Sequence, residues 1–551
     1  MNRRMKIVLP LLMAVVFVAG ILLGDILSFQ DNSLSNSSSK RQKLNRLINF
    51  IDKEYVDEVN TDSIVDITVA SILENLDPHS AYISKQEYDF VQDNMRGDFV
   101  GIGISFYTIK DTIVVIRTLE KGPGEKAGLE AGDRILYADA VPLFGNNMTN
   151  DSITGLLKGP ANSKVNLKVK RLGENNLLDF EINRGVVPLK SVDAGYMIND
   201  TLGYIKINRF AESTYSEFKA KMNQFATSEM KSVILDLRNN GGGFLRQATL
   251  ILDEFIEDGK LLLFTKNKNG DLKETFASKL GDYGDQNLFV FIDEKSASAS
   301  EIVAGAIQDN DRGIIIGRRS FGKGLVQREM NLGDGSAVRL TVARYYTPTG
   351  RSIQRPYENG NSEAYYSEYM ERYSNGELLS KDSISTDDSL RYETPEGNIV
   401  YGGGGIIPDI FVPRNSSQDI QDIKFMYEGG VMDRFIFDLL DENRKYYNSL
   451  SKNDFLERNL ITEEVLDRFT RYLGNYDMNY NFDDSSYFLK KHLKATMARQ
   501  LFGSDLAEKI SNENDPYIKR VLKINSPENP GQARLGVLNG QAESEEKLTT
   551  D

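Results

Sequence analysis

Residues 232–237 read Ser-Val-Ile-Leu-Asp-Leu, a short apolar run that predicts a buried β-strand. A Gly-rich loop follows this run, and the next segment has the pattern of a helix that begins at about Leu245. The same order recurs at 288–292, before a helix from about Ala299, and a third strand is predicted at 313–317. Strands that alternate with helices in this way indicate a parallel or mixed α/β core.

The chain on either side of this core has other patterns. Apolar residues recur at helical spacing in the region before residue 95, and short strands separated by glycine turns follow it. The predicted organisation is a membrane helix or signal at 1–28, a linker at 29–40, a helical region at 41–94, a β-rich domain at 95–186, the α/β core at 187–415, a helical region at 416–525 and a disordered tail at 526–551. Within the core, the polar stretch 360–395 predicts an exposed insertion or loop.

Composition excludes several classes of function. The 551-residue chain has a net charge of −14 and lacks the basic stripe that nucleic-acid binding needs. Because the chain has no cysteine, it has no thiol nucleophile, thiolate metal site or disulfide. The two histidines, His79 and His492, have no acidic partner at ligand spacing, so we predict structural roles for both. We therefore expect no metal site, and a base other than histidine if the chain is a hydrolase.

The N-terminus has the charge pattern of an exported or anchored protein. Arg3, Arg4 and Lys6 precede an uncharged run from Ile7 to Gly24. As a helix this run would reach about 27 Å, close to the thickness of a bilayer core. The basic flank predicts that the rest of the chain lies outside the cytoplasm. We favour an uncleaved single-pass anchor in the inner membrane, and a cleaved signal peptide is the alternative.

Three serines stand at alternate positions where the second core strand gives way to a helix. They are Ser296, Ser298 and Ser300, in the segment Lys-Ser-Ala-Ser-Ala-Ser-Glu at 295–301. A serine at a helix N-terminus lies near free N–H groups and the positive end of the helix dipole, which favour a developing oxyanion. Helix capping is the alternative role. Three serines exceed what one cap needs, but the pattern alone does not select a nucleophile.

A lysine lies in the glycine-rich segment that follows the third strand. Residues 317–324 read Gly-Arg-Arg-Ser-Phe-Gly-Lys-Gly, which is most of a phosphate-binding Walker loop. Gly324 stands where that loop requires Ser or Thr, and residues 325–329 alternate like a strand, so we do not predict nucleotide binding. Lys323 can act as a general base only as a neutral amine, which requires burial to lower its pKa from about 10.4. A surface lysine in a turn is the alternative.

The β-rich region carries two segments that resemble a PDZ domain. Residues 99–104 read Phe-Val-Gly-Ile-Gly-Ile, and residues 126–136 read Lys-Ala-Gly-Leu-Glu-Ala-Gly-Asp-Arg-Ile-Leu. In that family the first segment forms a loop whose N–H groups bind a terminal carboxylate, and the peptide then adds as a strand. A plain β-barrel without a ligand is the alternative. The resemblance implies a peptide-binding segment made of Val100, Gly101, Ile102, Gly103 and Ile104.

Four motifs together are similar to the serine–lysine carboxyl-terminal processing peptidases. They are Asp-Leu-Arg-Asn-Asn-Gly-Gly-Gly at 236–243, Ser-Ala-Ser-Ala-Ser-Glu at 296–301, Phe-Gly-Lys-Gly-Leu-Val-Gln at 321–327 and Gly-Gly-Gly-Gly-Ile-Ile-Pro-Asp at 402–409. The resemblance runs from about residue 41 to residue 415. It implies an inserted PDZ domain and a crotonase/Clp-like α/β protease core.

The resemblance also assigns roles to individual residues. In the family the nucleophile precedes the lysine by 25 positions, and Ser298 stands 25 positions before Lys323. Gly241 departs from the family, which usually has proline there. The implied site consists of Ser298 as nucleophile, Lys323 as base, Gln327 as the residue that orients the lysine, and the N–H groups of Ala299 and of Gly242 or Gly243 as oxyanion donors.

The implied function is that of a serine endopeptidase, active without a cofactor, that recognises free C-terminal tails and processes or degrades exported proteins. The expected partners are proteins with apolar C-terminal tails, together with the membrane, and the catalytic part is expected on the periplasmic, extracytoplasmic side. The C-terminal helical region is expected to pack on the core, to form a homo-oligomer or to bind an adaptor.

A non-catalytic tail-binding scaffold and acyl-CoA chemistry are the alternative functions. The presence of both Ser298 and Lys323 argues against the scaffold, and a tail-binding module argues against acyl-CoA chemistry.

Overall fold

A computed structural model of the chain describes residues 35–525, apart from residues 110, 146, 226–228, 279–280, 477, 479, 481, 483 and 484. The predicted anchor or signal at 1–28, the first part of the predicted linker and the predicted tail at 526–551 lie outside the described residues. Among the helices that are described, none combines the length and the apolar character needed to cross a bilayer. The chain divides into two compact units, residues 1–76 and 77–551.

The described part of the first unit consists of two helices, α1 (Ser35–Glu54) and α2 (Thr61–Glu74). Helix α1 begins inside the stretch that the sequence predicted as a linker. Helix α2 begins after Asn60, whose side chain accepts a hydrogen bond from the Ser63 N–H at 3.2 Å, as an N-cap does.

The second unit contains three groups of elements, which are a PDZ-like β domain, an α/β core and a C-terminal set of helices. Its strands are β1 (Ala81–Ile83), β2 (Asp98–Gly101), β3 (Ile104–Ile109), β4 (Thr112–Thr118), β5 (Arg134–Ala138), β6 (Val141–Pro142), β7 (Lys164–Lys170), β8 (Leu178–Asn183), β9 (Gly185–Pro188), β10 (Val192–Met197), β11 (Leu202–Ile207), β12 (Ser232–Asp236), β13 (Leu261–Asn267), β14 (Leu272–Phe276), β15 (Asn287–Ile292), β16 (Ile314–Gly317), β17 (Leu325–Asn331), β18 (Ala337–Tyr346), β19 (Arg391–Glu393), β20 (Ile399–Tyr401) and β21 (Ile410–Phe411). Its helices are α3 (Lys85–Arg96), α4 (Pro123–Ala127), α5 (Asn150–Leu157), α6 (Thr214–Phe225), α7 (Leu245–Asp253), α8 (Ala299–Asp309), α9 (Ser362–Glu371), α10 (Gln418–Glu428), α11 (Val431–Glu442), α12 (Arg444–Asn448), α13 (Lys452–Glu457), α14 (Glu463–Gly474), α15 (Ser486–Phe502), α16 (Ser504–Ser511) and α17 (Pro516–Ile524), with 3₁₀ turns at Lys381–Ser383 and Asp388–Leu390.

The central sheet of the core has six strands in the order β10-β11-β12-β15-β16-β21. Strand β10 is antiparallel to β11, and all the other neighbours are parallel. Side chains alternate between the faces, so Val233 and Leu235 pack with α6, α7 and α8, whereas Ile234 packs with α17 on the opposite side. Because both faces are covered, the strands are almost continuously apolar, and this is the pattern that predicted them.

A second sheet brings the segment after Lys323 close to residues 77–83, at the start of the second unit. Strands β1, β18, β13 and β14 form it in that order, and β17 also pairs with β18. The antiparallel pairing of β17 with β18 fixes the position of Gln327, opposite Thr341. Strand β1 pairs with the first residues of β18, from Ala337 to Arg339, so residues 77–83 lie next to the same sheet.

The PDZ-like domain is inserted between α3 and the core. Its sheet has the order β3-β4-β5-β7-β8, with β6 on β5, and β3 is an edge strand that pairs only with β4 among the described strands. Strands β2 and β9, at the entry and exit of the insertion, pair antiparallel. The domain has its own core, which includes Ile113, Val115, Ile135, Val165 and Ile182.

The C-terminal helices have a separate apolar core, built mainly from α11, α14 and α15. The last helix, α17, leaves this group, and its Tyr517, Ile518 and Val521 pack on the central sheet. The predicted mixed α/β architecture is therefore confirmed, and the crotonase/Clp-like topology stays a prediction.

The prediction of an exposed stretch at 360–395 holds for most of its residues, but a few side chains within it are buried. Tyr365 on α9 is 3% exposed and Arg372 is 1% exposed. The guanidinium of the buried Arg355 lies 3.9 Å from the centre of the Tyr365 ring, and Arg319 forms a bidentate ion pair with the buried Glu377 at 2.5 Å. Polar residues are buried here because they are paired with one another, which a hydropathy pattern does not detect.

Candidate active site

Ser298 is held in a backbone conformation that is unusual for a residue with a side chain. It stands between β15 and α8 with φ 54° and ψ −111°. The hydroxyl groups of its neighbours are occupied, since Ser296 donates to the Leu237 carbonyl at 2.8 Å and Ser300 to the Asn240 carbonyl at 2.9 Å. The Ser298 hydroxyl donates no hydrogen bond to any described residue. Strain of this kind is stored at functional sites and persists only where the surroundings enforce it.

The glycine loop after β12 lies directly against this serine. A Cβ atom added to Gly242 would lie 2.9 Å from the Ser298 Cβ and 3.0 Å from the Ala299 nitrogen. The Gly242 N–H is already bonded to the Asn240 side-chain oxygen at 2.8 Å. The N–H groups of Gly243 and Ala299 have no acceptor among the described residues. Of the two glycines that the sequence left open, Gly243 is therefore the one with an N–H group available.

Lys323 lies in the loop between β16 and β17, and its side chain is partly buried. Its Nζ donates to Gln327 Oε1 at 2.8 Å, and Gln327 Nε2 in turn donates to the His79 carbonyl. Burial lowers the pKa of Lys323 to about 8, the Arg339 cation adds to this effect, and the carboxylates of Glu301 and Asp77 oppose it. Roughly a tenth of this amine is thus neutral at pH 7, compared with less than about a thousandth for a free lysine of pKa about 10.4.

Glu301 joins the serine and lysine loops, and the sequence analysis assigned it no role. The carboxylate is fully buried, and its Oε2 accepts hydrogen bonds from the Ser298 N–H at 2.8 Å and the Lys323 N–H at 2.9 Å. Its Oε1 accepts from the Ser320 hydroxyl at 2.5 Å and the Gly322 N–H at 2.6 Å. Because the amide nitrogens of Ser298 and Lys323 bond to the same oxygen, the distance between them cannot exceed the sum of the 2.8 Å and 2.9 Å hydrogen bonds. A glutamate three residues after a serine, as in a capping box, was the available signal.

The segment before β1 is a second contribution that the sequence analysis did not assign. Asp77 accepts hydrogen bonds from the His79 N–H and the Ser80 N–H, both at 3.0 Å, and so fixes a tight turn. This turn presents the His79 carbonyl to Gln327. The His79 ring contacts the Tyr365 hydroxyl at 3.1 Å, and burial followed by the Lys323 charge lowers the histidine pKa to about 4.

The two histidines do not form a nucleophile–base pair with Ser298. His492 lies on α15, where its Nδ1 is 2.7 Å from the Phe488 carbonyl and burial lowers its pKa to about 4. In the present conformation no hydrogen bond joins the Ser298 hydroxyl to the Lys323 amine, which is bonded to Gln327 instead. Over the described part of the chain, no group of three or more His, Asp or Glu side chains is arranged to hold a metal ion.

The predicted peptide-binding segment forms the turn between β2 and β3. The carbonyls of Ile102 and Gly103 accept hydrogen bonds from the Gly124 N–H at 2.6 Å and the Leu119 N–H at 2.9 Å. The N–H groups of Ile102 and Gly103 have no acceptor among the described residues, and Gly103 has a φ of 71°. Two adjacent free N–H groups next to an edge strand form the kind of concavity that binds a carboxylate.

The glycine loop at 241–243, which the sequence predicts to supply an oxyanion donor, yields a direct test by substitution. Gly243 has a φ of 144°, and an added Cβ would collide with the Phe210 carbonyl oxygen. We expect Gly243→Ala to lower kcat/KM for peptide hydrolysis about 100-fold, because displacement of the loop by even an ångström misplaces its N–H group. Gly241→Ala is the matched control, since its Cβ would meet nothing within 4 Å, and it should stay within about threefold of wild type. Equal rates for the two variants would contradict this account of the loop.

Comparison with known proteins agrees with the resemblance in the motifs. Residues 201–359 match the family described as Peptidase family S41, residues 100–183 match the PDZ domain family, and residues 423–503 match a family of unknown function, DUF8443. The chain is 35% identical over 350 residues to the carboxy-terminal-processing protease of Bartonella bacilliformis, which covers 62% of this chain and 80% of that protein. It is 28% identical over 429 residues to the carboxy-terminal processing protease CtpB of Bacillus subtilis, with coverage of 76% and 88%.

A solved structure of the photosystem II D1 C-terminal processing protease is also similar. It is 27% identical, with a TM-score of 0.33 and coverage of 56% of this chain and 82% of that chain. The identity and coverage of the Bartonella relative, together with the S41 and PDZ matches, define the family. The chain belongs to the carboxy-terminal processing proteases of peptidase family S41 and is a serine-type endopeptidase with a PDZ domain.

Proposed function

We propose that this enzyme binds the free C-terminal tails of proteins through its PDZ domain and cleaves them with Ser298 as nucleophile and Lys323 as general base. The observation that carries the proposal is the buried Glu301 carboxylate, which accepts hydrogen bonds from the backbone of both residues. This carboxylate holds a loop with a free hydroxyl beside a loop with a lysine of lowered pKa. These are the two components that a serine–lysine mechanism requires.

In the proposed reaction, neutral Lys323 accepts the proton of the Ser298 hydroxyl while Oγ bonds to the scissile carbonyl carbon. The carbonyl oxygen becomes an oxyanion and accepts hydrogen bonds from the N–H groups of Gly243 and Ala299. The lysine ammonium then gives its proton to the leaving amine as the C–N bond breaks, which leaves an acyl-enzyme. A water molecule, deprotonated by the same lysine, releases the acid and restores the Ser298 hydroxyl.

Gln327 and the His79 carbonyl are proposed to position the lysine. The Gln327 amide has one donor end and one acceptor end, and the His79 carbonyl accepts from the donor end. The oxygen of the same amide is thereby directed at Lys323 Nζ. For proton transfer Nζ must exchange Gln327 for the Ser298 hydroxyl, which donates to no other described residue.

The proposed recognition step uses the turn between β2 and β3. A tail carboxylate accepts from the N–H groups of Ile102 and Gly103, and the residues before it add to the free edge of β3. Helix α5 forms the opposite wall, since Thr108 on β3 bonds to the Asn150 side chain at 3.2 Å and Leu157 lies close to Gly101. Apolar tails suit this groove because Ile104 and Phe106 are only partly buried against the domain core.

The test compares one apolar-tailed protein substrate that ends in a carboxylate with the same substrate as a carboxamide. We expect the amide to lower kcat/KM about 10- to 100-fold, because it loses charge-assisted hydrogen bonds worth about 1.5–3 kcal/mol. Gly103→Ala should remove this difference, since its Cβ would lie 3.2 Å from Pro123 and from Val187. Gly173→Ala carries the same backbone strain in open space and should preserve it. Equal cleavage of acid and amide by wild type would refute tail recognition.

The cellular location and the domain organisation of the enzyme are also part of the proposal. We propose that residues 1–28 anchor the chain in the inner membrane and that the catalytic part acts on exported proteins at the extracytoplasmic side, as the basic flank and apolar run favour. The division at 41–94, 95–186, 187–415 and 416–525 is proposed as the domain organisation. An adaptor or homo-oligomer contact of the C-terminal helices remains a prediction from the sequence.

A further inference from the structure

Three parts of the second unit meet around one large cavity that is separate from the active-site loops. On one side Val114 and Ile116 of the PDZ strand β4 pack against Phe437 of α11. On another side Asp505 of α16 accepts a hydrogen bond from the Gly195 N–H of the core at 3.0 Å. The cavity between these contacts has a volume of about 1090 Å³ and is lined by the PDZ domain, the core and the C-terminal helices. Its size is that of a site for an organic molecule, well beyond a single small ion.

The lining of this cavity is basic, although the chain as a whole is acidic. Seven lysine or arginine residues and three aspartate or glutamate residues line it, in a chain whose net charge is −14. The basic groups come from all three parts and include Arg117 of the PDZ domain, Arg209 of the core, and Arg444 and Arg499 of the C-terminal helices. Such a concentration of one charge around a concave surface focuses the field and attracts ions of the opposite sign.

Each acidic residue of the lining has a close partner, and one of these partners, Lys190, also lines the cavity. Glu120 pairs with Lys190 at 3.2 Å, and Glu508 pairs with Lys206 at 3.4 Å. Asp193 accepts a hydrogen bond from the Asn208 side chain. None of these contacts involves one of the three arginines from the PDZ domain and the C-terminal helices.

Arg117 is a cation of the lining without a direct partner among the described residues, although Asp433, Glu120 and Asp193 lie close enough to favour its charge. Its guanidinium makes no hydrogen bond or ion pair with any described residue, although the side chain is half-buried. The nearby Asp433 is bonded to Arg499 at 3.2 Å. Burial, followed by the Arg499 charge, lowers the pKa of Arg117, so the charge stands in surroundings that disfavour it. Arg444 adds an Nη2 that has no hydrogen-bond acceptor in the described structure.

We infer that this cavity binds a small organic anion, with phosphate or carboxylate groups that pair with Arg117 and with the arginines of the C-terminal helices. Guanidinium groups bind such oxyanions through paired hydrogen bonds in a fixed geometry. Because the ligand contacts the PDZ domain, the core and the C-terminal helices together, it stabilises their arrangement in the folded chain. This inference does not depend on the proposed catalytic mechanism.

The first experiment measures binding of inorganic pyrophosphate by calorimetry to the full chain carrying Ser298→Ala, in buffer free of other polyvalent anions. We expect saturable binding to one site and a rise in the thermal midpoint with pyrophosphate concentration.

Arg117→Gln should raise Kd at least tenfold, and it should fold normally because Arg117 has no side-chain partner to lose. Lys452→Gln, on the exposed side of the lining, should raise Kd about threefold. Arg391→Gln removes the same charge from exposed strand β19, outside the lining, and should leave Kd unchanged.

A second arm distinguishes a free anion from a lipid headgroup, which offers the same phosphate chemistry. The same variants are sedimented with vesicles of phosphatidylglycerol and of phosphatidylcholine. Binding to the anionic vesicles that depends on Arg117 and is competed by pyrophosphate would assign the site to a headgroup, and pyrophosphate binding alone would assign it to a free anion. Absence of both, or equal binding by Arg117→Gln and Arg391→Gln, would overturn the inference. Because the Ser298→Ala chain does not need to cleave anything, this result is independent of the catalytic proposal.

Discussion

Replacement of Ser298 by alanine is expected to lower kcat/KM toward an apolar-tailed protein substrate by at least about 10⁴-fold, since no other group can form the acyl-enzyme. The fold should be little affected, because the hydroxyl donates no hydrogen bond to any described residue. We expect the thermal midpoint to stay within about 2 °C of wild type. Cleavage assays and thermal unfolding of the same preparations measure both quantities.

The two neighbouring serines are the matched controls for this variant. Ser296→Ala and Ser300→Ala each remove one hydroxyl from the same segment, but these hydroxyls donate to the carbonyls of Leu237 and Asn240. Each substitution should lower the free energy of unfolding by about 1 kcal/mol and leave kcat/KM within about tenfold of wild type. Wild-type activity in the Ser298→Ala chain would exclude Ser298 as the nucleophile.

Replacement of Lys323 by methionine is expected to have an effect of similar size, and the pH dependence of the wild type should reveal the reason. Burial lowers the pKa of this lysine to about 8, and only the neutral amine can accept the serine proton. Below about pH 8 the amine is protonated, so kcat/KM should fall about tenfold for each pH unit. Above that pH the rate should level off. Initial rates between about pH 5.5 and pH 9.5 give this profile.

Lys295→Met is the control for the lysine variant. Lys295 is also close to Ser298 in sequence, but its side chain is 49% exposed and lies 3.5 Å from Glu428. It should leave both the rate and the pH profile unchanged, which separates loss of the base from loss of a nearby charge. A wild-type profile that is flat between about pH 6 and pH 9, or an active Lys323→Met chain, would refute the assignment of the base.

Several features of the fold could be predicted because their causes are local. The strands at 232–236 and 287–292 bury both faces, and this alone makes them continuous apolar runs in the sequence. The positive φ of Gly103 and the turn it permits follow from a glycine in a defined short motif. The mixed α/β architecture and the PDZ insertion could therefore be read from residue patterns and family motifs.

The few buried side chains within residues 360–395 could not be predicted in this way. The polarity of the stretch indicated an exposed insertion, and most of it is exposed. Tyr365 and Arg372 are nevertheless buried, because the Arg355 guanidinium lies over the Tyr365 ring and Arg372 donates to the Ser320 carbonyl at 2.8 Å. A hydropathy pattern records the average preference of a residue type for water. It does not record whether a charged side chain will find a partner, and that partner determines whether the charge can be buried.

The sequence by itself determined the residue types of the site, the absence of cysteine, the scarcity of histidine and the local elements that carry Ser298 and Lys323. Only the tertiary structure decided which of three serine hydroxyls donates no hydrogen bond to a described residue and which of two glycines keeps a free N–H. It also decided that the Glu301 carboxylate and the His79 carbonyl belong to the site. The reason is physical: strand and helix periodicity arises between residues close in sequence, whereas a buried hydrogen bond depends on which distant segments the fold brings together.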